Sequence, residues 1–199
     1  MFDEPDLFER LMRLNEDFCV DWANAQLAAG ATAICYFDPV SSTTIVSPEQ
    51  SRRIGLPIAR RTIARIQGPV ALHFASGRCG PIVEDLPATG ASVIGVSMLD
   101  DLAELKRRTA GRLTLLGNLN GIEMRRWTEA RAEAVVKQAI GAAGRGGGYI
   151  LADNHGEIPF QVGDETLLAI SEAVHCWGRY PLDLDARGWD VPASPSSTP

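Results

Sequence analysis

The sequence lacks the features that mark a secreted, membrane-spanning or nucleic-acid-binding chain. No apolar run approaches the roughly 20 residues that a membrane-spanning helix needs, and the acidic start MFDEPDLFERL has no signal-peptide core. The 4 cysteines are scattered without a CxxC pair. No lysine and arginine stripe offsets the net charge of −6, which argues against nucleic acid as a partner. These absences favour a reduced, cytoplasmic protein that binds neither nucleic acid nor membrane.

The residues that are present suffice for one large hydrophobic core. Hydrophobic residues make up 45% of the 199 residues and charged residues 22%, a composition typical of globular chains rather than disordered ones. We expect one domain over residues 1–180. A disordered tail is expected over 181–199, which ends in VPASPSSTP.

The first predicted element is a helix from Pro5 to Ala29, with Gly30 ending it. Apolar side chains recur in it near a period of 3.6 residues, as in a helix that covers a core. We therefore expect this helix to pack on a sheet. The apolar side chains are Phe8, Leu11, Leu14, Phe18, Trp22 and Leu27.

Five strand-like runs follow, and helical patterns lie between them. The strands are predicted at ATAICYF, VALHFA, SVIGVSM, LTLLGNLNG and YILADNHG. The helices are predicted from the N-cap Ser47 toward Gln67 with a kink at Pro57, from Pro81 to Thr89, from Leu99 to Thr109, from Thr128 to Ala143, and from Asp164 to His175. This alternation indicates an α/β chain with a parallel sheet covered by helices. Two folds have this arrangement, a (β/α) barrel and a doubly wound sheet. No G-x-G-x-x-G follows the first strand, which argues against a doubly wound sheet of the dinucleotide-binding type.

Nearly every predicted strand ends in a side chain that can form hydrogen bonds or bind a metal. In parallel sheets the active site gathers at the carboxyl ends of the strands. We therefore expect one polar pocket at that edge. The residues at the strand ends are Asp38, His73, Ser97, Asn118, Asn120, Asp153, Asn154 and His155.

His73 has a simple interpretation and a functional one. A histidine at a strand end often only bonds a backbone carbonyl. His155 at the end of a second parallel strand favours function, because two neutral imidazoles can bind one Zn²⁺. Possible further ligands are Cys79, Asp38, Asp153 and Glu157.

Four segments together resemble the uroporphyrinogen decarboxylase superfamily, which includes the methylcobamide:coenzyme M methyltransferases. The segments are YFDPVSSTTIVSPEQ, VALHFASG, GRLTLLGNLNG, and GGGYILADNHGEIP with the helix near Asp164 after it. They occur in the family's order and spacing, and the likeness runs from about Asp6 to His175. It implies a TIM-barrel relative. Because about five parallel strand–helix units are present where such a barrel has eight, we expect a partial TIM (β/α) barrel that matches the family's C-terminal part. Its open edges should favour self-association or a partner chain.

Two branches of this superfamily fit different parts of the sequence. The zinc methyltransferases carry a His-x-Cys pair on the strand that VALHFA resembles and a later cysteine on the strand that YILADNHG resembles. His73 matches their histidine, Ala75 stands at their first cysteine, and His155 lies near their second. The decarboxylases resemble GNLN and NHGEIP, but they normally have Asp at Asn120 and no histidine at His73. Ser97 replaces an acidic residue that is common in the family.

The resemblance implies a corrinoid-linked methyltransferase, which moves a methyl group from a corrinoid carrier to a thiol or related acceptor. Zinc in that branch holds the acceptor as a thiolate. The alternatives are a uroporphyrinogen decarboxylase-like enzyme of porphyrin biosynthesis and a non-catalytic barrel half completed by a partner chain. The expected partners are a small-molecule substrate or a corrinoid protein. The residues implied are Asp38, Asn118 and His155 for catalysis, Ser97, Asn120 and Asp153 for substrate binding, and His73, His155 and Cys79 for zinc.

Alternation along VALHFA predicts where the His73 side chain points. His73 and Ala75 should share one face of the sheet, opposite Leu72 and Phe74. If that face is the barrel interior, the imidazole lies at the rim of the pocket. Since Ala75 cannot bind a metal, we expect His73 to bind Zn²⁺ weakly or not at all, and a substrate contact or a hydrogen bond is the alternative role to ligation.

Overall fold

The computed structural model describes residues 3–154, 156–184 and 189. Its strands form a five-stranded sheet, and all neighbouring strands pair in parallel in the order β1-β2-β3-β4-β5. The strands are β1 (Ile34–Phe37), β2 (Val70–His73), β3 (Val93–Gly95), β4 (Thr114–Leu119) and β5 (Tyr149–Asp153). The predicted α/β fold with five parallel strands of a partial barrel is confirmed.

Helices alternate with these strands. They are α1 (Pro5–Ala28), α2 (Pro48–Gln50), α3 (Leu56–Ile63), α4 (Leu102–Thr109), α5 (Glu129–Ala143) and α6 (Asp164–Trp177). The predicted N-caps at Ser47 and Thr128 are confirmed, because each hydroxyl accepts a hydrogen bond from the backbone N–H three residues on. Within the described residues, no helix combines the length and the apolar character that crossing a membrane requires.

Prolines explain two differences from the predicted helices. The segment from Ser47 is helical to Ile63, but a π-helical turn at Ser51–Gly55 stands before Pro57, which has no N–H to donate. The predicted helix from Pro81 to Thr89 is wrong. Two 3₁₀ turns, Gly80–Ile82 and Leu86–Thr89, replace it, because Pro87 fits the first turn of a helix but not its interior.

The hydrophobic core lies between the sheet and the helices. Leu72, Ile94 and Leu115 of the three central strands are completely buried there. The other side of the sheet is called the inner face, because it would face the interior of a closed barrel. One row of paired residues crosses it, with one member from each strand: Phe37, His73, Gly95, Leu116 and Ile150. The inner face is open at both ends of this row, since Phe37 is 59% exposed and Ile150 46% exposed.

Helix α1 packs on α3 and β1, but most of its predicted apolar stripe does not face them. The side of α1 that is buried carries Glu16, Val20 and Ala23, and Leu27 packs against the core. At 100° per residue, the outward stripe lies on the opposite side of the helix. The outward stripe consists of Leu7, Leu11, Leu14, Phe18 and Trp22, which are between 47% and 68% exposed.

Candidate functional site

Five predicted site residues lie at the carboxyl edge of the sheet. Asp38 directly follows β1, His73 ends β2, Ser97 lies two residues beyond β3, Asn118 belongs to the end of β4, and Asp153 ends β5. Because the strands are parallel, these ends share one edge. His155, the other strand-end histidine of the prediction, lies outside the described residues.

His73 lies on the inner face, as the alternation of VALHFA predicts. Leu72 and Phe74 on either side of it are completely buried in the core. Its ring stacks on Phe37, with centroids 5.8 Å apart and planes inclined by 23°. The ring also covers Gly95 of β3, where a Cβ atom would stand only 2.5 Å from the Cδ2 atom of His73. Glycine at position 95 therefore makes room for the imidazole.

A backbone contact fixes the protonation pattern of the His73 ring. The N–H of Ala75 donates a hydrogen bond of 2.9 Å to the Nδ1 atom of His73. Since a backbone N–H can only donate, Nδ1 must be unprotonated. A neutral ring then carries its proton on Nε2, and this nitrogen is the one that can donate to a ligand.

The surroundings of His73 favour this neutral ring. Burial lowers the pKa of His73, because a charged imidazolium is poorly solvated there, and the negative charge of Asp153 opposes the shift. Asp153 itself is held at the strand end, where its Oδ2 atom accepts a hydrogen bond of 2.9 Å from the N–H of Gly156. At neutral pH the site thus presents an uncharged N–H donor beside a carboxylate.

Ser97 and Asn118 tie the loops of this edge together. The Ser97 hydroxyl donates to the backbone oxygen of Ser76 at 2.8 Å and accepts from the N–H of Leu99 at 3.1 Å, and Ser97 is completely buried. The Asn118 amide donates to the backbone oxygen of Ser97 at 2.9 Å. Ser97 therefore holds the β2 and β3 loops in place, and a direct substrate contact by its hydroxyl stays a prediction.

Asp38 and Asn120 each accept hydrogen bonds from backbone N–H groups of the turn that follows them. Asp38 Oδ1 accepts from the N–H of Ser41 at 3.2 Å, and Asn120 Oδ1 accepts from the N–H groups of Ile122 and Glu123. Each side chain is half-buried. Both keep polar atoms at the edge of the sheet.

A cleft of about 800 Å³ opens beside Asn118 and Asn120. It lies between the end of β4, α4 and α5. Arg126, Trp127 and Arg131 contribute to its wall. The wall of the cleft therefore carries an aromatic ring and charges of both signs, because Asp101 and Glu123 also line it.

Cys79 lies in the hydrophobic core rather than at the rim. Its side chain is completely buried, and burial followed by the charge of Asp100 raises the pKa of its thiol. A thiol that resists deprotonation is a poor zinc ligand. In the part of the chain that is described, no three His, Cys, Asp or Glu residues form a group that could hold a metal ion.

Asn154, one of the residues of the expected polar pocket, is a further site candidate. It is 2% exposed, and its Oδ1 atom is buried with no hydrogen-bond partner among the described residues. A buried acceptor without a donor is destabilising unless a ligand satisfies it. Strand alternation is the signal that identifies it, since Asn154 follows Ile150 and Ala152 on the inner face.

Comparisons with known proteins agree with this fold. The profile of the family described as "Uroporphyrinogen decarboxylase (URO-D)" matches residues 1–177. The uroporphyrinogen decarboxylase of Cupriavidus necator is 31% identical over 180 residues, which cover 86% of this chain and 49% of that protein. The uroporphyrinogen decarboxylase of Cupriavidus pinatubonensis is 30% identical over 187 residues, which cover 90% of this chain and 50% of that protein.

A solved structure shares the fold. The methyltransferase from Methanosarcina mazei superposes with a TM-score of 0.79 at 23% identity, and the match covers 89% of this chain and 51% of that one. At this identity the likeness concerns the fold alone. The chain spans about half the length of the curated relatives it matches. From the family profile, which covers nearly the whole described region, the chain belongs to the uroporphyrinogen decarboxylase (URO-D) family.

Proposed function

We propose that this chain contributes part of an active site that moves a methyl group from a corrinoid carrier to a thiol or related acceptor. The observation that carries the proposal is His73 at the end of β2 on the inner face. The methyltransferase branch that the sequence resembles has a histidine at this position, whereas the decarboxylase branch has none. The fold shared with the Methanosarcina mazei methyltransferase is consistent with it.

His73 acts in this proposal as a hydrogen-bond donor and not as a base. Its Nδ1 atom is occupied by the N–H of Ala75, and Nε2 carries the proton of the neutral ring. A hydrogen bond from Nε2 to the acceptor sulfur favours the thiolate, which is the nucleophilic form. Asp38, Asn118 and His155 are the proposed further catalytic groups, and Asn120 and Asp153 the proposed substrate contacts.

The described residues do not fit a zinc site of the methyltransferase type. Ala75 offers no ligand atom, and Cys79 is buried in the core. A zinc-bound histidine usually donates its second ring N–H to a carboxylate or a carbonyl, whereas the second nitrogen of His73 accepts from a backbone N–H. Ligation by His73 together with His155 stays a prediction, and the proposed role of His73 does not use zinc. The corrinoid would supply the methyl group.

A decarboxylase-like activity is the second candidate, and a specific observation favours it. The curated relatives at about 30% identity are named uroporphyrinogen decarboxylases, and a neutral N–H donor on the inner face suits a carboxylate substrate without a metal. The third candidate is a non-catalytic barrel half. The open inner face, with Phe37 59% exposed, is the observation behind it.

One experiment separates the three candidates. The purified protein is incubated without oxygen either with methylcobalamin and a panel of thiols or with uroporphyrinogen, and the products are followed by absorbance and chromatography. The proposal expects demethylation of the corrinoid that His73→Asn slows by about 100-fold, the scale of losing one donor to a developing charge. His175→Asn serves as control, because His175 is exposed on α6. Decarboxylation alone would support the second candidate. The third candidate would be supported if neither reaction occurs even when the chain is combined with the part of the Cupriavidus necator relative that lies outside the matched region.

A further inference from the structure

A smaller hydrophobic cluster lies between α5 and α6, beside the main core. Its buried members are Val136, Ile140 and Ala173. Leu182 and Trp189 pack against it, although both lie beyond residue 177, where the match to the family profile ends. The smaller cluster is therefore completed by residues that the shared fold does not supply.

Trp189 packs on a tryptophan of α6 and on a glycine of α5. Its ring meets the ring of Trp177 edge to face, with centroids 5.5 Å apart and planes inclined by 80°. Its Nε1 atom lies 3.4 Å from the point where a Cβ atom would stand at Gly141. Glycine at position 141 thus leaves room for the indole on α5, and a side chain larger than that of alanine would occupy the same space.

Contacts with α5 also fix the ring of Trp177. Its indole N–H donates to Oε1 of Glu133 at 2.9 Å, and the Nζ atom of Lys137 lies 3.9 Å from the centre of its ring. Glu133 and Lys137 form an ion pair at 2.7 Å. A ring held by these contacts is a rigid surface for Trp189, and edge-to-face pairs are stabilising beyond the area that they bury.

Two polar contacts tie the residues after α6 to the carboxyl ends of both helices. The Nε of Arg179 donates to the backbone oxygen of His175 at 3.0 Å, and the Tyr180 hydroxyl donates to the backbone oxygen of Gly144 at 2.6 Å. The last four carbonyl groups of a helix lack partners within the helix, and a cation near them is favourable. Arg179 therefore supplies a donor to the end of α6, and Tyr180 supplies one to the end of α5.

Helix α6 has few other anchors. Of its own residues only Thr166 and Ala173 are buried, and Leu168 is 62% exposed. Because Thr166 lies in the first turn, the second half of α6 depends on Ala173 and on the contacts that follow the helix. Segments with few buried contacts open before the rest of a protein does.

We propose that the chain after α6 is a clasp that docks on α5 and α6 of the same molecule, holds the second half of α6, and opens as a unit before the sheet unfolds. The clasp consists of Arg179, Tyr180, Leu182 and Trp189. Opening exposes the smaller cluster and loosens the helix that follows the β5 loop of the candidate site. For these residues the proposal replaces the disordered tail expected over 181–199. It is independent of the reaction proposed above.

Circular dichroism tests whether the clasp is docked in solution. Two indole rings at this distance and angle couple their electronic transitions and give an exciton couplet in the far-ultraviolet spectrum. The full chain should show the couplet, and Trp189→Phe should abolish it. Of the 4 tryptophans, Trp22 is exposed on α1, so the couplet should survive in the matched control Trp22→Phe. A couplet that is absent from the parent or survives Trp189→Phe would overturn the proposal. One that disappears on dilution would also overturn it, because the clasp would then dock on a second copy.

Hydrogen exchange tests whether the clasp holds α6. In the parent, the amides of 170–177 should exchange faster than those of β4. Gly141→Leu occupies the space of the Trp189 indole, although leucine favours a helix more than glycine does. This variant should exchange the amides of 170–177 at least about tenfold faster than the parent, while β4 keeps its protection. The matched control Gly141→Ala should exchange like the parent, since its methyl group would be in ordinary contact with the indole. Unchanged exchange of 170–177 in Gly141→Leu, or equal acceleration in β4, would show that no clasp opens separately.

Discussion

Replacing Gly95 of β3 with alanine places a methyl group against the side of the His73 ring that packs on this strand. A Cβ atom at residue 95 would stand 2.5 Å from Cδ2, 2.8 Å from Cγ and 2.9 Å from Nε2 of His73. Carbon atoms in contact are about 3.5–4.0 Å apart, so the ring must move away by about 1 Å. That movement weakens the hydrogen bond from Ala75, worth about 1 kcal/mol, and the stacking on Phe37, worth about 0.5–1 kcal/mol. We expect Gly95→Ala to lower the free energy of unfolding by about 2 kcal/mol, within the usual range for overpacking.

A double-mutant cycle isolates this contact. Urea unfolding is measured for the parent, Gly95→Ala, His73→Ala and the double variant. Without the ring there is nothing for the new methyl group to strike, so Gly95→Ala should be nearly neutral in the His73→Ala background. The expected coupling is at least about 1 kcal/mol. Gly163→Ala is the matched control: its Cβ atom would meet the exposed carboxylate of Glu165, and alanine is a poorer N-cap for α6. Its destabilisation should therefore be equal in both His73 backgrounds, with a coupling below about 0.5 kcal/mol.

Equal destabilisation by Gly95→Ala in both backgrounds would refute the contact between the ring and β3. The His73 side chain would then have to lie elsewhere. A loss below about 0.5 kcal/mol in the parent background would refute it as well, because a ring packed against residue 95 cannot accept a methyl group without moving.

Three further predictions concern pH, a buried carboxylate and the thiols. Burial lowers the pKa of His73 in the folded state. The unfolded chain therefore binds more protons than the folded chain as the pH falls below about 6.5, and the free energy of unfolding falls as the pH falls. His73→Asn should reduce this loss between pH 7.5 and pH 5.5 in urea midpoints, and an unchanged loss would contradict the shift. Asp100 accepts hydrogen bonds from the N–H groups of Cys79 and Gly80 at 2.8 and 3.2 Å, so Asp100→Asn should lower the free energy of unfolding by about 2–3 kcal/mol. Asp101→Asn should change it by under about 0.5 kcal/mol, because Asp101 is the N-cap of α4 and asparagine is an equally good cap. An equally small change for Asp100→Asn would contradict the stabilising role of the Asp100 carboxylate. Of the 4 cysteines, Cys79 is buried and the other three are exposed. Ellman's reagent should therefore titrate three thiols in the native protein and all four in guanidinium. If Cys79 reacts in the native protein at the rate of the others, it lies at the surface and the prediction is wrong.

The fold was predictable because its signals are local. Each strand is a short apolar run, and each run ends at a polar residue or a glycine, so strand order and parallel pairing follow from the alternation with helices. The caps at Ser47 and Thr128 depend on residues only three positions away. The face to which His73 points follows from the period of two in a strand.

The parts that sequence could not give depend on contacts between distant residues. The outward stripe of α1 looks like a core-facing stripe, and only the packing of α1 on α3 shows that Val20 and Ala23 are the buried side. Cys79 resembles a rim residue by its spacing from His73. Its loop is instead held in the core by Asp100, 21 positions away in the chain. The Nδ1 contact of His73 likewise depends on how the chain turns at Ala75, where φ is 52°.

The protonation of the His73 ring is the most direct test of the proposed site. With 3 histidines in the chain, proton–nitrogen correlation spectra of the imidazole rings are simple, and His73→Asn identifies the signals of His73. We expect a neutral ring at pH 7.5 with the proton on Nε2, an unprotonated Nδ1, a pKa below the ordinary value of about 6.5, and no change on addition of Zn²⁺. A proton on Nδ1 together with a zinc-induced shift of Nε2 would contradict it, and His73 would then be a metal ligand rather than a hydrogen-bond donor.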